Sequence, residues 1–529
     1  MPAQAQERDP VAIDQARRAA EAQAARRTAR EEAPLSRIDG GMVKGVGPFP
    51  TEAQCRPISR IVVDGELPTE LRWVRRLVSG FEGRCIGQAG LNYILASLQS
   101  GFLEHGLSTT RAGLPQQDLA SGTLHIAVIP GRIAGVRAQR GRRAWRHAFP
   151  QGAGDILSLR AVEQGLDQMR RVPGRDVKVD LIPGDEPGES ILDVAVRDGK
   201  PVSLSVSANN LAGPTVGRWQ GSAQLSTLNL LGLSEVATVS INNRLRSPSL
   251  PADSRSTGAS LSIPFGWWTF GVSANRSRYA QQVRGEVQDF ETSGRLDTVS
   301  GWVERVVHRD RTSRTALRLT LQRRWGRSAI DGIEIGLQHQ DLTDIGLALV
   351  DRHRIGGVQI DTEIGHRRGV GWLGAQAEPD NRPAVLPTAR YRITSIDVAV
   401  NAPLGPVLAY RAAFHGQWSG RPLYGSDQIA VGGPFTVRGF DSDRALIGRA
   451  GWYLRQEMTV RIGDHLQPYV LGDAGHVLGN AAAPIGVGMG LRALMRGVSL
   501  DAWVAIPVSP QRAAGSQLGT IGVTAGWSF

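Results

Sequence analysis

Lysine is nearly missing from this chain: Lys44, Lys178 and Lys200 are its only three among 529 residues. Arginine therefore carries almost all of the positive charge behind a net +12, a skew that points to a GC-rich coding genome more than to a selected chemistry. Cysteine is as scarce. Cys55 and Cys85 fit neither a zinc site nor a dense disulfide scaffold, and are compatible with one bridge. No stretch approaches the roughly 18 to 20 uninterrupted apolar residues that a spanning helix requires. That excludes a helical membrane protein but not a membrane β-barrel, whose strands alternate. The first 30 residues have no apolar core of the kind a secretory signal carries, so if the protein is exported, the expectation is a mature form or a misplaced start. Glycine, by contrast, is plentiful: 64 residues, about 12% against roughly 7% on average. With 21% charged and 41% hydrophobic residues, collagen-like and wholly disordered chains are excluded.

The chain divides into four zones. Asp9-Pro10 predicts a helix start, an acceptor before a proline whose missing N–H costs nothing at the first helical position. The helix runs to about Glu32, with Asp14 and Arg18, Arg17 and Glu21, and Arg27 and Glu31 at i,i+4. Its larger apolar residues are only Val11 and Ile13. A helix polar all round must lie in water, bridge domains or occupy a polar cavity. Residues 33–53, holding Pro34, Gly40, Gly41, Gly45, Gly47, Pro48 and Pro50, read as a flexible linker.

Residues 54–132 and 133–200 form two short mixed units. In the first, Ile58 to Val63 predicts one strand, and Thr69 caps a helix carrying Leu71, Val74, Leu77 and Val78. A second helix carries Leu91, Ile94, Leu95, Leu98 and Phe102 on one face. His105-Gly106 closes it, and strands follow at about 107–112 and 123–129. In the second unit a strand starts over Ile133 to Arg137, Ser158 caps a helix with Val162, Leu166 and Met169, and Gly174 ends it. Val177, Val179 and Leu181 then alternate, and residues 185–189 turn the chain into Leu192, Val194 and Val196.

From 201 to 529 there is no comparable helical face, only recurring alternation. Trp219, Gly221, Ala223 and Leu225 alternate with Arg218, Gln220, Ser222, Gln224 and Ser226. Leu317, Leu319 and Leu321 alternate with Arg318, Thr320 and Gln322. In the last segment Ile521, Val523, Ala525, Trp527 and Phe529 face one way, and Thr520, Gly522, Thr524, Gly526 and Ser528 the other. Small or uncharged polar residues and arginine on one face, apolar and aromatic residues on the other, and turn-rich connectors such as 247–255 are the pattern of a barrel with lipid outside and water within. A soluble β-sandwich also alternates, and the membrane reading is favoured by the glycine content, the aromatic segment ends and the lack of covering helices. With spans of roughly 9 to 11 residues per strand, the segment accommodates about sixteen.

Motifs of enzyme chemistry are absent. There is no Gly-x-Ser-x-Gly elbow, and the only Gly-Lys pair, Gly199-Lys200, precedes Pro201 and cannot cradle a phosphate. The ten histidines are scattered, so neither a metal site nor another cofactor is expected. Gly486-Val487-Gly488-Met489-Gly490 looks like a phosphate loop but follows no βα unit, and glycines facing across a crowded barrel wall explain it better. The arginines are dispersed along strands rather than gathered on a recognition helix, so no nucleic-acid partner is expected.

Particular motifs then resemble one family. Leu114-Pro-Gln-Gln-Asp-Leu-Ala-Ser-Gly-Thr-Leu124, leading through Val128-Ile-Pro-Gly-Arg132 and flanked by Cys55 and Cys85, resembles the first polypeptide-transport-associated (POTRA) domain of two-partner secretion (TpsB) transporters. Glu163-Gln-Gly-Leu-Asp-Gln168, Arg171-Val-Pro-Gly174 and Leu181-Ile-Pro-Gly184 are similar to their second POTRA domain. Val437-Arg-Gly-Phe440 resembles the tip of the loop that folds back into their pore, and Leu471-Gly-Asp-Ala-Gly475 the strand facing it. Relatives export haemolysins, filamentous haemagglutinin and contact-dependent inhibition toxins. The resemblance implies a transmembrane β-barrel of about sixteen antiparallel strands preceded by two α+β POTRA domains and an N-terminal plug helix. It implies a gating motif of Val437, Arg438, Gly439 and Phe440 with Arg438 paired to Asp473, and a disulfide between Cys55 and Cys85. It also implies a monomer in outer-membrane lipid, domains in the periplasm and a secreted exoprotein as client, with no catalytic residues. A barrel-assembly insertase of the same superfamily is the alternative, against which two POTRA-like units and a plug helix argue.

Overall fold

The computed structural model describes residues 10–31, 35–38, 47–65, 67–138, 143–245, 253–283, 288–378, 380–508 and 519–529. Asp9, the linker residues Pro34, Gly40, Gly41 and Gly45, and residues 247–252 of the expected connector lie outside them. The N-terminal helix α1 spans Pro10–Glu31.

In the first unit, helices α2 (Trp73–Ser79) and α3 (Gln88–Glu104) cover a sheet in which Thr123–Ile129 lies between Arg60–Asp64, parallel, and Arg111–Gly113, antiparallel. Ile94, Leu98 and Phe102 of α3 meet Leu124, Ile126 and Val128 in one core. The expected single strand from Ile58 to Val63 is two. Arg56–Ile58 pairs instead with Arg84–Ile86, because the Ser59 and Arg60 amides both turn to the Gly122 carbonyl. Thr69 starts a single 3-10 turn, Thr69–Leu71, and α2 begins after it. The strand expected at 107–112 shrinks to Arg111–Gly113, since the Leu107 and Thr110 amides bond back to Phe102 and Leu107.

The supposed linker is held at two places. Glu52 accepts the amides of Gly87, Ala89 and Gly90 at 3.1, 2.8 and 2.6 Å, so a side chain from outside α3 caps its start. Desolvation raises the pKa of this carboxyl, but the three amides outweigh it and hold it below its usual range. At the other place Ser36 is buried between the second unit and the barrel. Its amide bonds Asp167, its hydroxyl accepts from Arg170, and its carbonyl accepts from Arg309.

Cys55 and Cys85 are bonded across a 30-residue interval, joining the approach to Arg56–Ile58 with its partner strand. The chain-entropy model gives such a loop roughly 3 to 4 kcal/mol. Replacing both cysteines by serine is therefore expected to lower hydrogen-exchange protection of the α3 amides by about a hundredfold. Unchanged protection would show that the core holds this unit without the bridge.

The second unit sets helix α4 (Leu159–Arg170) on a sheet ordered Arg132–Ala138, Glu189–Arg197, Asp176–Pro183. Ser158 occupies the N-cap position, though its hydroxyl makes no cap bond. Val162, Leu166 and Met169 face the sheet. Glu163, Gln164, Asp167 and Gln168 are buried as well, because their side meets the barrel. Gln168 donates to the Gly266 and Trp268 carbonyls, and Arg309 donates to Gln164 and Asp167.

The barrel closes with sixteen antiparallel spanning strands from Val202–Asn209 to Thr520–Ser528, the first pairing with the last through Asn209 and Thr524. A two-residue strand, Ile333–Glu334, adds a hairpin on Ser313–Ile330. The alternating apolar residues point outward, as with Leu317, Leu319 and Leu321 and with Ile521, Trp527 and Phe529, all exposed. Some strands far exceed the expected 9 to 11 residues, Phe290–Arg309 having 20. There the ladder continues beyond the apolar band: the outer face passes from Val299 to Asp297 and Arg295, which pair with each other.

Candidate functional site inside the barrel

Two elements fill the lumen. One is the segment between Leu408–Trp418 and Gly451–Val460, which folds inward through a 3-10 turn (Gly425–Asp427), a small hairpin (Ile429–Val431 with Leu446–Gly448) and the Val437–Phe440 tip. The other is α1.

Arg438 lies 1% exposed in the barrel. Its Nε donates to Asp473 Oδ2 at 2.7 Å and its Nη2 to Oδ1 at 2.8 Å, a two-pronged grip that a planar guanidinium forms and an ammonium does not. The Arg438 amide donates to the same carboxylate at 3.1 Å. Its third nitrogen, Nη1, reaches Glu457 Oε1 at 2.5 Å. Glu457 in turn accepts from Arg492 at 2.6 Å, and Arg492 donates to Asp501 at 3.2 Å. Alternating charges thus run from the loop tip across four neighbouring strands. Their low-dielectric setting favours the charged partners only while every one is matched.

The rest of the tip is equally placed. Val437 is fully buried with Ile429, Val431, Tyr453 and Val477, and Phe440 packs on the same cluster. Gly439 has φ +99°, a conformation that side chains other than glycine rarely adopt, and its amide donates to Thr520 on the closing strand at 3.0 Å. The glycine run 486–490 now has its reason. Gly486 faces inward, and a Cβ there would stand 1.8 Å from the Arg438 carbonyl oxygen, while Val487 and Met489 face outward.

A second buried network, not anticipated from the sequence, holds the loop's base. Asp427 receives Arg324 and Arg367, each at 2.8 Å. Arg324 also donates to the Tyr391 hydroxyl, which donates to Asp344. Glu457, Arg492, Thr520, Asp427, Arg324 and Arg367 were thus missed. For Glu457, Arg492, Arg324 and Arg367 the one signal was a charge at an inward position of an alternating strand; Asp427, in a 3-10 turn, and the uncharged Thr520 carried none.

Of the places open to a polar helix, α1 occupies the polar cavity. It packs on the inward loop through small residues one turn apart, Ala12 beside Gly425 and Ala16 against Ala430 and Ala445, and Ala20 one turn on is buried too. The absence of a large apolar stripe hid this narrower seam. Gln23 donates to Asp397 at 2.9 Å and accepts the Tyr453 hydroxyl at 3.2 Å, and Arg18 donates to Ser254 at 3.1 Å. Arg17 and Glu21 form the expected i,i+4 pair at 3.5 Å. The side chains of Val11, Asp14, Arg27 and Glu31 are outside the described residues.

Comparison with known proteins identifies relatives of the whole chain. Residues 188–493 match the model for the haemolysin secretion/activation protein ShlB/FhaC/HecB family, residues 56–131 the ShlB-type POTRA domain and residues 132–183 a further POTRA model. The chain is 34% identical over 518 residues to the outer membrane transporter CdiB-2 of Burkholderia pseudomallei, covering 92% of this chain and 88% of that one. It is 29% identical over 448 residues to the outer membrane transporter CdiB of Dickeya dadantii, covering 82% and 79%. The solved structure of CdiB from Escherichia coli superposes over 100% of both chains with a TM-score of 0.86 at 25% identity.

Proposed function

This chain belongs to the haemolysin secretion/activation protein ShlB/FhaC/HecB family, and from that premise we propose that it passes one large, mostly β-helical exoprotein from periplasm to cell surface without nucleotide hydrolysis. The family is one of two-partner secretion transporters of the outer membrane, with POTRA domains in the periplasm, and not of enzymes. The client is an adhesin, a cytolysin or a contact-dependent toxin. The observation that carries the reading is a closed sixteen-stranded barrel whose lumen is filled by two polar elements, α1 and the inward loop. Such a filling is displaceable, since water can replace its hydrogen bonds.

Division of labour follows residues 1–32 as plug, 33–53 as linker, 54–132 and 133–200 as the two POTRA domains and 201–529 as the pore, working as a monomer. The unfolded client first adds as a strand to POTRA edges, where main-chain bonds give affinity with little dependence on side chain. Arg60–Asp64 and Arg111–Gly113 edge the first sheet, and Arg132–Ala138 and Asp176–Pro183 the second. The plug and the loop carrying Arg438 then move aside, and folding of the client outside supplies direction.

The test is export of a long, repeat-rich exoprotein encoded beside this chain's gene, scored in cells with and without the chain. Appearance of the client in the medium only when the chain is present is expected. Equal export in both strains would sink the proposal.

A further inference from the structure

Near its POTRA-side rim the outer face of the barrel carries a cation that the described protein leaves without a carboxylate partner. Arg305 lies on the strand Phe290–Arg309 between Trp268 and Leu317 of the neighbouring strands, both exposed. One step further from the POTRA-side rim, Phe270, Val303 and Leu319 continue the apolar band. The guanidinium carbon stands 5.0 Å from the centroid of the Trp268 ring. Among the described residues no carboxylate pairs with it: Glu304 next in sequence points inward, where Arg314 and Arg318 occupy it. A different arrangement holds at the opposite end of the band, where Arg323 stacks on Trp325 and is also paired with Asp341.

A cleft of about 440 Å³ opens beside Arg305, walled by Trp267, Val306, Val307, His308 and Arg309. The cleft lies on the rim side of Arg305, with the basic His308 and Arg309 among its walls, and the apolar band lies on the other side. The rim is the one on which the second POTRA unit sits, through Gln168 on the Gly266 and Trp268 carbonyls. A bare guanidinium is costly in hydrocarbon and is tolerated where it reaches the headgroup level and meets an anion.

We propose that this cleft and the band above it form a binding site for an anionic phospholipid of the periplasmic leaflet, its headgroup in the cleft with the phosphate diester on Arg305 and its acyl chains along Phe270, Val303 and Leu319. Arg305 is uncompensated by protein and Asp310, beside the cleft, is already held by His308, Thr312 and Ser313, so a headgroup with net negative charge fits better than a zwitterionic one. The site rests on the membrane reading of the barrel and is independent of which client is exported.

Native mass spectrometry of the delipidated full chain, exposed to vesicles of phosphatidylglycerol and phosphatidylethanolamine in equal amounts, tests it. The wild type is expected to retain phosphatidylglycerol preferentially, Arg305→Gln several-fold less of it, and Arg305→Lys, which keeps the charge, most of it. Heat-dependent gel migration verifies that each variant is a folded barrel. Equal retention by wild type and Arg305→Gln overturns the site, as does a wild type without preference between the two lipids. Displacement of the lipid by excess inorganic phosphate would overturn it too, because a free anion would then suffice.

Discussion

Replacing Arg438 by alanine is expected to leave the barrel inserted and to lower client export about tenfold or more. The inserted barrel survives because its closure rests on the strand ladder and the outward apolar band, neither of which involves residue 438. The loop does not fare as well. Asp473, 1% exposed, loses both bonds from the guanidinium, and Glu457 loses one of its two arginine partners. Removing one partner of a buried ion pair costs roughly 3 to 5 kcal/mol, and even a third of that acting on the loop's resting position shifts its population about tenfold. Arg438→Lys is expected to fail nearly as badly, since an ammonium cannot hold both Asp473 oxygens and Glu457 in one plane. Exported client, normalised to folded barrel on heat-modified gels, gives the measurement. Wild-type export from a well-inserted Arg438→Ala barrel would remove this pairing from the mechanism.

The pairing was legible only through the family resemblance, which the compact local motifs Val437–Phe440 and Leu471–Gly475 carry. Glu457, Arg492 and Asp427 were not, because their partners lie on other strands and local pattern says nothing of register across a barrel. The same division runs through the fold. Period-two alternation over 317–322 and 520–529 announced which face meets lipid, and period 3.6 over Leu91 to Phe102 announced α3. Breaks imposed from a distance stayed hidden. The strand over Ile58 to Val63 divides because the Gly122 carbonyl, far along the chain, takes two consecutive amides. Ser36 looked like free linker because its three partners, Asp167, Arg170 and Arg309, come from α4 and the barrel. Gly486 looked like a nucleotide motif because the backbone that forbids its side chain arrives from residue 438.

Deleting residues 9–32 is expected to give larger and steadier single-channel conductance in planar bilayers. An α-helix with its side chains is about 10 to 12 Å across, so removing α1 from the lumen vacates a path that water and ions can fill. The described contacts of α1 include an alanine seam and hydrogen bonds from Gln23 and Arg18, each worth about 1 to 3 kcal/mol net. The loop is pinned at both ends by buried charges, Asp427 between Arg324 and Arg367, and Arg438 between Asp473 and Glu457. Deletion alone should open only the helix's share of the lumen, and deletion combined with Arg438→Ala should raise conductance further. Client secretion scored in the same strains would tell whether the plug also helps export. If deletion left the small resting conductance unchanged, the helix would not be the resting barrier, and the loop held by Arg438 would be the main gate.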